Sequence, residues 1–239
     1  MNAKKNYFLL AVKTSLPVFF GYIAIGTAFG LMLVEADYPW WLAPIMSITM
    51  YAGAGQYIAV GLFAAGTPLT MILITEALVN IRHIVYGLSL ISKFKECGKW
   101  FYYIIFGLTD ETYSLLTTTE APEDADKGSF YFTIAILKQR YWILGSIIGA
   151  VAGSLIPFDF HGVDFALTAL FVVLLIDQIE KSKDFFPPLV GLITTSGTVI
   201  LWRLGIINDS NNILLIALAL GIAVITFVRY PKNKKEEIK

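Results

Sequence analysis

From Thr14 to Val34, and again from Tyr38 to Thr75, the chain carries no charged side chain. About 20 such residues in a helix span a hydrocarbon core of roughly 30 Å, so these runs demand a lipid environment. Only 15% of the 239 residues are charged and 56% are hydrophobic, against about 25% charged in a soluble domain. The expectation is an all-α, polytopic transmembrane helix bundle. Lys4, Lys5 and Lys13 precede the first run as in a secretion signal. The run is long, however, and no small-x-small site leads into a polar mature domain, so a retained helix is expected. Basic and acidic residues balance at 18 each, which gives no electrostatic footprint for nucleic acid. A single cysteine, Cys97, excludes an internal disulfide and a cysteine-based metal site.

Gly66-Thr67-Pro68 divides the second run, because Gly and Pro end helices and open turns. Spans are then expected at about 14–34, 42–64, 69–91, 100–118, 140–156, 164–180, 186–204 and 212–228, eight or seven in number. They form a single membrane-embedded transport domain over 1–239, with 1–13 and the basic tail 229–239 in the cytoplasm. Lysine and arginine are retained on that side, which places Glu35 and Asp37 outside, Lys138 and Arg140 in an inner loop before span five, Asp159 and Asp164 outside, and Lys181 and Lys183 inside. One loop conflicts. Lys93, Lys95 and Lys99 fall outside after three crossings, unless span three or four is broken or re-entrant. A repeat is also visible: Gly26-x-x-x-Gly30 followed by an acidic loop resembles Gly149-x-x-x-Gly153 followed by another, about 123 residues on. Small-xxx-small packing accounts for the same glycines.

An ionisable group inside a span costs roughly 2.5 to 3.5 kcal/mol and needs a partner, a cavity or a function. Span three holds Glu76, Asn80 and His83, which share a narrow face with Gly87, while Arg82 points elsewhere. A carboxylate and an imidazole on one seam can pass a proton or hold an ammonium, and Arg82 can grip a carboxylate bidentately. The alternative is helix glue, with Arg82 and His83 snorkelling to the interface. Span four carries adjacent Asp110 and Glu111, which diverge by about 100°. One is expected to pair with Arg82 or His83 while the other binds substrate or titrates. Asp177 is a further candidate, for which an interfacial ion pair with Lys181 is the alternative. In span two, Gly53 and Gly55 beside Gln56 weaken the helix, so that backbone groups there can meet a substrate carboxylate or ammonium; close packing is the alternative.

These stretches resemble the AzlC family, the large subunit of bacterial branched-chain amino acid exporters. Gly21-Tyr-Ile-Ala-Ile-Gly-Thr-Ala-Phe-Gly30 is similar to its first-helix motif, Ala52-Gly-Ala-Gly-Gln56 to its A-G-A-x-Q motif, Asn80-Ile-Arg-His83 to its N-x-R-H motif and Leu108-Thr-Asp-Glu111 to its L-T-D-E motif. Gly55 departs from the alanine that many members carry. The resemblance covers nearly the whole chain, weakening after about residue 185. It implies export of leucine, isoleucine, valine and methionine across the bacterial cell membrane, with a small AzlD-type membrane subunit as partner.

No P-loop or complete G-x-G-x-x-G occurs, so no nucleotide drive and no cofactor are indicated, and an ion gradient is the expected drive. An intramembrane enzyme is the competing class. Gly107-Leu-Thr-Asp110 lacks the second glycine of a G-x-G-D aspartyl signature, and H-E-x-x-H and G-x-S-x-G are absent. A noncatalytic scaffold is the third reading, for which a Glu-Asn-His seam has no use.

Overall fold

The structure is a computed structural model that describes residues 2–122, 124–155, 168, 172, 175–176, 179–180, 182–207 and 212–236. Most of span six, with Asp177, and the loop holding Asp159 and Asp164, with the rest of the repeat beyond Leu155, lie outside the described residues. All regular structure among the described residues is helical: α1 (Asn2–Glu35), α2 (Leu42–Thr49), α3 (Gly53–Ala64), α4 (Leu69–Phe94), α5 (Phe101–Phe106), α6 (Asp110–Thr118), α7 (Lys127–Leu155), α8 (Phe186–Arg203) and α9 (Asn212–Glu236). A 3₁₀ segment, Lys95–Trp100, joins α4 to α5. Among the described residues, three stretches are long and apolar enough to cross a membrane, Tyr7–Glu35, Leu69–Phe106 and Lys127–Leu155.

The chain divides into two compact units, Met1–Ala64 with Asn80–Thr168, and Ala65–Val79 with Ala169–Lys239. In the second, α8 and α9 pack together, with Gly221 lying opposite the Thr194 hydroxyl. Asp184 starts α8 by accepting a hydrogen bond from the Phe186 amide at 3.0 Å.

The first unit is built on α1 and α7, which run parallel. Ser15 bonds Tyr141 at 3.1 Å near one end, and Gly153 meets Leu31 and Val34 near the other. Between them the small residues remove any side-chain spacer. A Cβ on Gly26 would lie 3.1 Å from the Ser146 amide, and one on Gly30 would lie 2.5 Å from the Ala150 amide. The two glycine motifs are thus the contact itself, as small-xxx-small packing requires in lipid.

Segments 42–64 and 100–118, read from sequence as continuous spans, are each made of two short helices folded back on themselves. In the first, α2 descends beside α7 and α3 returns beside α1. Tyr38 before α2 touches Phe63 near the end of α3, ring centroids 5.7 Å apart, while Tyr57 donates to the Ile25 carbonyl at 2.6 Å. The turn is Met50-Tyr51-Ala52, where Tyr51 takes a left-handed φ of 45°. Such a conformation costs a non-glycine residue on the order of 1–3 kcal/mol, and the surrounding packing must hold it.

The second hairpin enters from the opposite end. Lys93, at the end of α4, bonds the Thr119 carbonyl and Glu120 at 2.8 Å, and Lys127 reaches Glu96 at 3.3 Å. The Lys93 ammonium holds the Glu120 carboxyl below its usual range. Helices α5 and α6, of six and nine residues, are about 9 and 13 Å long, too short to cross. Both ends of this hairpin therefore lie at one end of the unit, where Ala11 of α1 packs in a cluster with Phe94 and Cys97. Re-entrance removes the conflict over Lys93, Lys95 and Lys99, which share an end with the start of α1.

A correction concerns Lys138. It is not in a loop before span five but midway along α7 and fully buried. Hydropathy places a lysine at a helix boundary, whereas here the helix continues through it on the buried stripe Ile134, Lys138, Trp142, Gly145, Gly149.

Candidate functional site

The two hairpin tips meet inside the first unit. The Tyr51 ring at the first tip lies 6.3 Å from the Phe106 ring at the second. Gly107-Leu108-Thr109 makes the second turn, and Thr109 caps α6 by accepting a hydrogen bond from the Thr112 amide at 3.3 Å. The cap places Asp110 and Glu111 in the first turn, where the helix dipole favours carboxylates.

The two carboxylates diverge. Asp110 faces α4, pairing with Arg82 at 2.9 Å and accepting from the Tyr86 hydroxyl at 2.6 Å. Tyr86 stacks on Tyr113, centroids 4.3 Å apart, and Ser89 bonds the Tyr113 hydroxyl at 3.2 Å. Helix α6 is thereby fastened along α4. Glu111 faces α1 instead, accepting from Tyr22 at 2.8 Å and from Thr109 at 3.0 Å, with Tyr22 and Thr109 themselves 2.6 Å apart.

His83 leaves α4 on a different side from Arg82 and lines a pocket of about 460 Å³ with Tyr51, Gly87, Ile105, Phe106 and Leu108 among others. That volume falls in the range of small-molecule sites, and the lining is apolar apart from His83 and Tyr51. Asn80 is half-buried one turn before His83. Glu76, one turn earlier on α4 and half-buried, belongs to the second unit.

Gly53, Gly55 and Gln56 occupy the first turn of α3. Gly53 lies against the Trp142 ring, 3.2 Å from where a Cβ would sit. Gln56 is fully buried, donates to Ser47 at 3.1 Å and accepts from the Trp142 indole at 2.9 Å, while Ser47 donates to Ser146 at 2.9 Å. This network fixes the returning hairpin to α7. The helix break itself lies just before these residues, at 50–52. Gln56→Leu should strand the Trp142 N–H, take from Ser47 the bond it accepts, and cost about 1–3 kcal/mol. A lowered Tm in detergent checks it; an unchanged Tm would mean that the network adds nothing.

Motif reading overlooked Tyr22, Tyr51, Thr109, Lys138 and Trp142. The first four carry polar groups at the meeting of the tips, and Lys138 and Trp142 were legible only in the i, i+4 periodicity of the buried stripe.

Opposed re-entrant hairpins beside a pocket, within apolar helices, define a polytopic membrane transport protein. The family model described as AzlC protein matches residues 17–156, from α1 through α7. The branched-chain amino acid transport protein AzlC of Bacillus subtilis (strain 168) is 33% identical over 96% of this chain and 88% of its own length. An uncharacterized membrane protein of Helicobacter pylori (strain ATCC 700392 / 26695) is 35% identical over 78% of this chain and 83% of its own. The inner membrane protein YgaZ of Escherichia coli (strain K12) is 28% identical over 74% and 75%. No solved structure matches. The chain belongs to the AzlC family.

Proposed function

We propose that this chain exports branched-chain amino acids, leucine, isoleucine, valine and also methionine, using an ion gradient and working with a small AzlD-type membrane subunit. The observation that carries the reading is the meeting of two oppositely inserted hairpins at an apolar pocket with charged groups beside it. Re-entrant tips offer helix ends to a zwitterion, and their opposed insertion gives each side of the membrane its own gate. The name of the Bacillus subtilis relative supports this substrate class.

In this reading the whole chain, 1–239, is one transport domain in a bacterial cell membrane. Lys13, Lys93, Lys95 and Lys99 mark the cytoplasmic end, with Glu35 and Asp37 outside and both termini inside. The aliphatic side chain rests against Met50, Ile105 and Phe106, with His83 at its edge. Asp110 and Glu111 supply negative charge, Arg82 orients Asp110, and Gly53, Gly55 and Gln56 shape the first tip. Glu76 and Asn80 continue the polar seam of α4, where Glu76 carries the coupling proton.

The test is efflux of the four amino acids from dipeptide-loaded bacteria lacking their own exporters, with and without the neighbouring small membrane protein. Faster efflux that collapses with the proton gradient is expected, and unchanged pools with the protein verified in the membrane would defeat the proposal. Glu76→Gln should leave the protein in the membrane and remove pH-driven efflux. Efflux that still followed the pH gradient would take Glu76 out of the mechanism.

A further inference from the structure

Lys138 stands at the meeting of the tips with no role in the reading above, yet among the described residues of the first unit it is a fully buried cation. Its ammonium makes no hydrogen bond or ion pair among the described residues, and its nearest recorded partner is the Tyr22 ring, 5.8 Å to the centroid. A tyrosine face compensates a buried ammonium only in part, so the group retains a demand for an anion. Glu111 is close enough to act on Lys138 electrostatically, but Tyr22 and Thr109 hold its carboxylate and no ion pair closes between the two. A positive and a negative pole therefore stand apart around Tyr22.

Tyr51 adds an independent observation. It is 3% exposed, and its hydroxyl, near Tyr22, Thr112 and Glu111, makes no hydrogen bond of good geometry among the described residues. Its ring lines the apolar pocket. One residue thus joins the pocket to the two poles.

We propose that Lys138 anchors the carboxylate of the transported amino acid, with the Tyr51 hydroxyl as second donor and Glu111 facing the ammonium. This rests on the amino-acid reading above and moves the carboxylate from Arg82, whose guanidinium is engaged by Asp110. An α-amino acid carries both charges on substituents of one carbon, so separated poles beside an apolar pocket match its head and its side chain together. Bound substrate supplies the anion that Lys138 lacks, and Glu111 is spared from closing on it.

The test measures binding of L-leucine and L-leucinamide, which keeps the ammonium and loses the carboxylate, to the full chain in lipid nanodiscs. The wild type should prefer leucine by about ten-fold or more, the scale of one charge-assisted hydrogen bond. Lys138→Met should abolish that preference while leucinamide binding stays, Lys138→Arg should keep it, and Tyr51→Phe should reduce it. A purely structural role would weaken both ligands together, and equal weakening overturns the proposal. Should Lys138→Met fail to fold, Lys138→Arg with Tyr51→Phe decides, and an unchanged preference in Tyr51→Phe overturns the paired-donor site. A wild type that binds leucine without preferring it over the amide overturns the Lys138 assignment alone. Failure of the wild type to bind leucine, isoleucine or valine brings down the transport reading and this proposal with it.

Discussion

Gly149→Ala is expected to remove most of the folded protein from the membrane, although it adds one methyl group. That methyl would meet the Thr27 carbonyl oxygen and come 2.7 Å from its carbon. The obstacle is backbone of α1, which cannot turn aside as a flexible side chain can. Gly30→Ala faces the same obstruction from α7, at the Ser146 carbonyl and 2.5 Å from the Ala150 amide. Overpacking costs about 1–3 kcal/mol where neighbours can shift, and more where they cannot. Here relief requires prising apart the two parallel helices that also hold the first hairpin, α1 through Ile25 accepting from Tyr57 and α7 through Trp142 donating to Gln56. Gly21→Ala is the control, since nothing lies within 4 Å of its Cβ position. Size-exclusion profiles of detergent extracts should show a sharp native peak for Gly21→Ala and a lost or aggregated one for Gly149→Ala. A native peak of wild-type height for Gly149→Ala would mean that α1 and α7 pack less closely than described.

Much of this architecture is visible in hydropathy, because burial in lipid imposes long charge-free helices wherever a crossing exists. The long helices α1, α4 and α7 follow from that demand, and Gly66 ends α3 with a left-handed φ of 64° just before Pro68. The hairpins are less legible for a physical reason. A re-entrant pair and a single crossing are equally apolar and similar in length, so 42–64 reads as one helix. What betrays the first hairpin is charge. Lys93, Lys95 and Lys99 sit on the wrong side of a topology that makes 42–64 a crossing, and that contradiction is resolved by turning the chain back at Tyr51. The second hairpin, turning back at Gly107, then starts α7 from the end at which α4 finishes. The motif residues were also legible as positions but not as roles. Gln56 is a buried fastener to Ser47 and Trp142, and Arg82 has its carboxylate within the chain. Nothing local in Lys-Gln-Arg distinguishes the buried Lys138 from the exposed Arg140. Only the period of the whole of α7 does.

Neutralising Arg82 or Asp110 singly should cost both stability and transport, and neutralising both should restore the stability alone. Each side chain is partly exposed, 33% and 27%, so the pair is not sealed in hydrocarbon and its strength is moderated by whatever solvent reaches it. Arg82→Gln nevertheless leaves Asp110 with Tyr86 as donor and no cation, at the first turn of a half-helix that only side chains fasten to α4. Asp110→Asn leaves a guanidinium facing Tyr86 with no counter-charge. Contacting charged pairs show coupling of about 0.5–3 kcal/mol, so the double variant should melt closer to the wild type than either single one. Transport should follow another order. If α6 must loosen from α4 and refasten as the tips open in turn, a fixed neutral contact cannot replace an attraction that acts at a distance and re-forms in one geometry. Efflux should therefore remain low in the double variant although its Tm recovers. Additive losses in Tm would show that the two charges do not stabilise each other, and full efflux from the stable double variant would show that the pair only holds the hairpin in place.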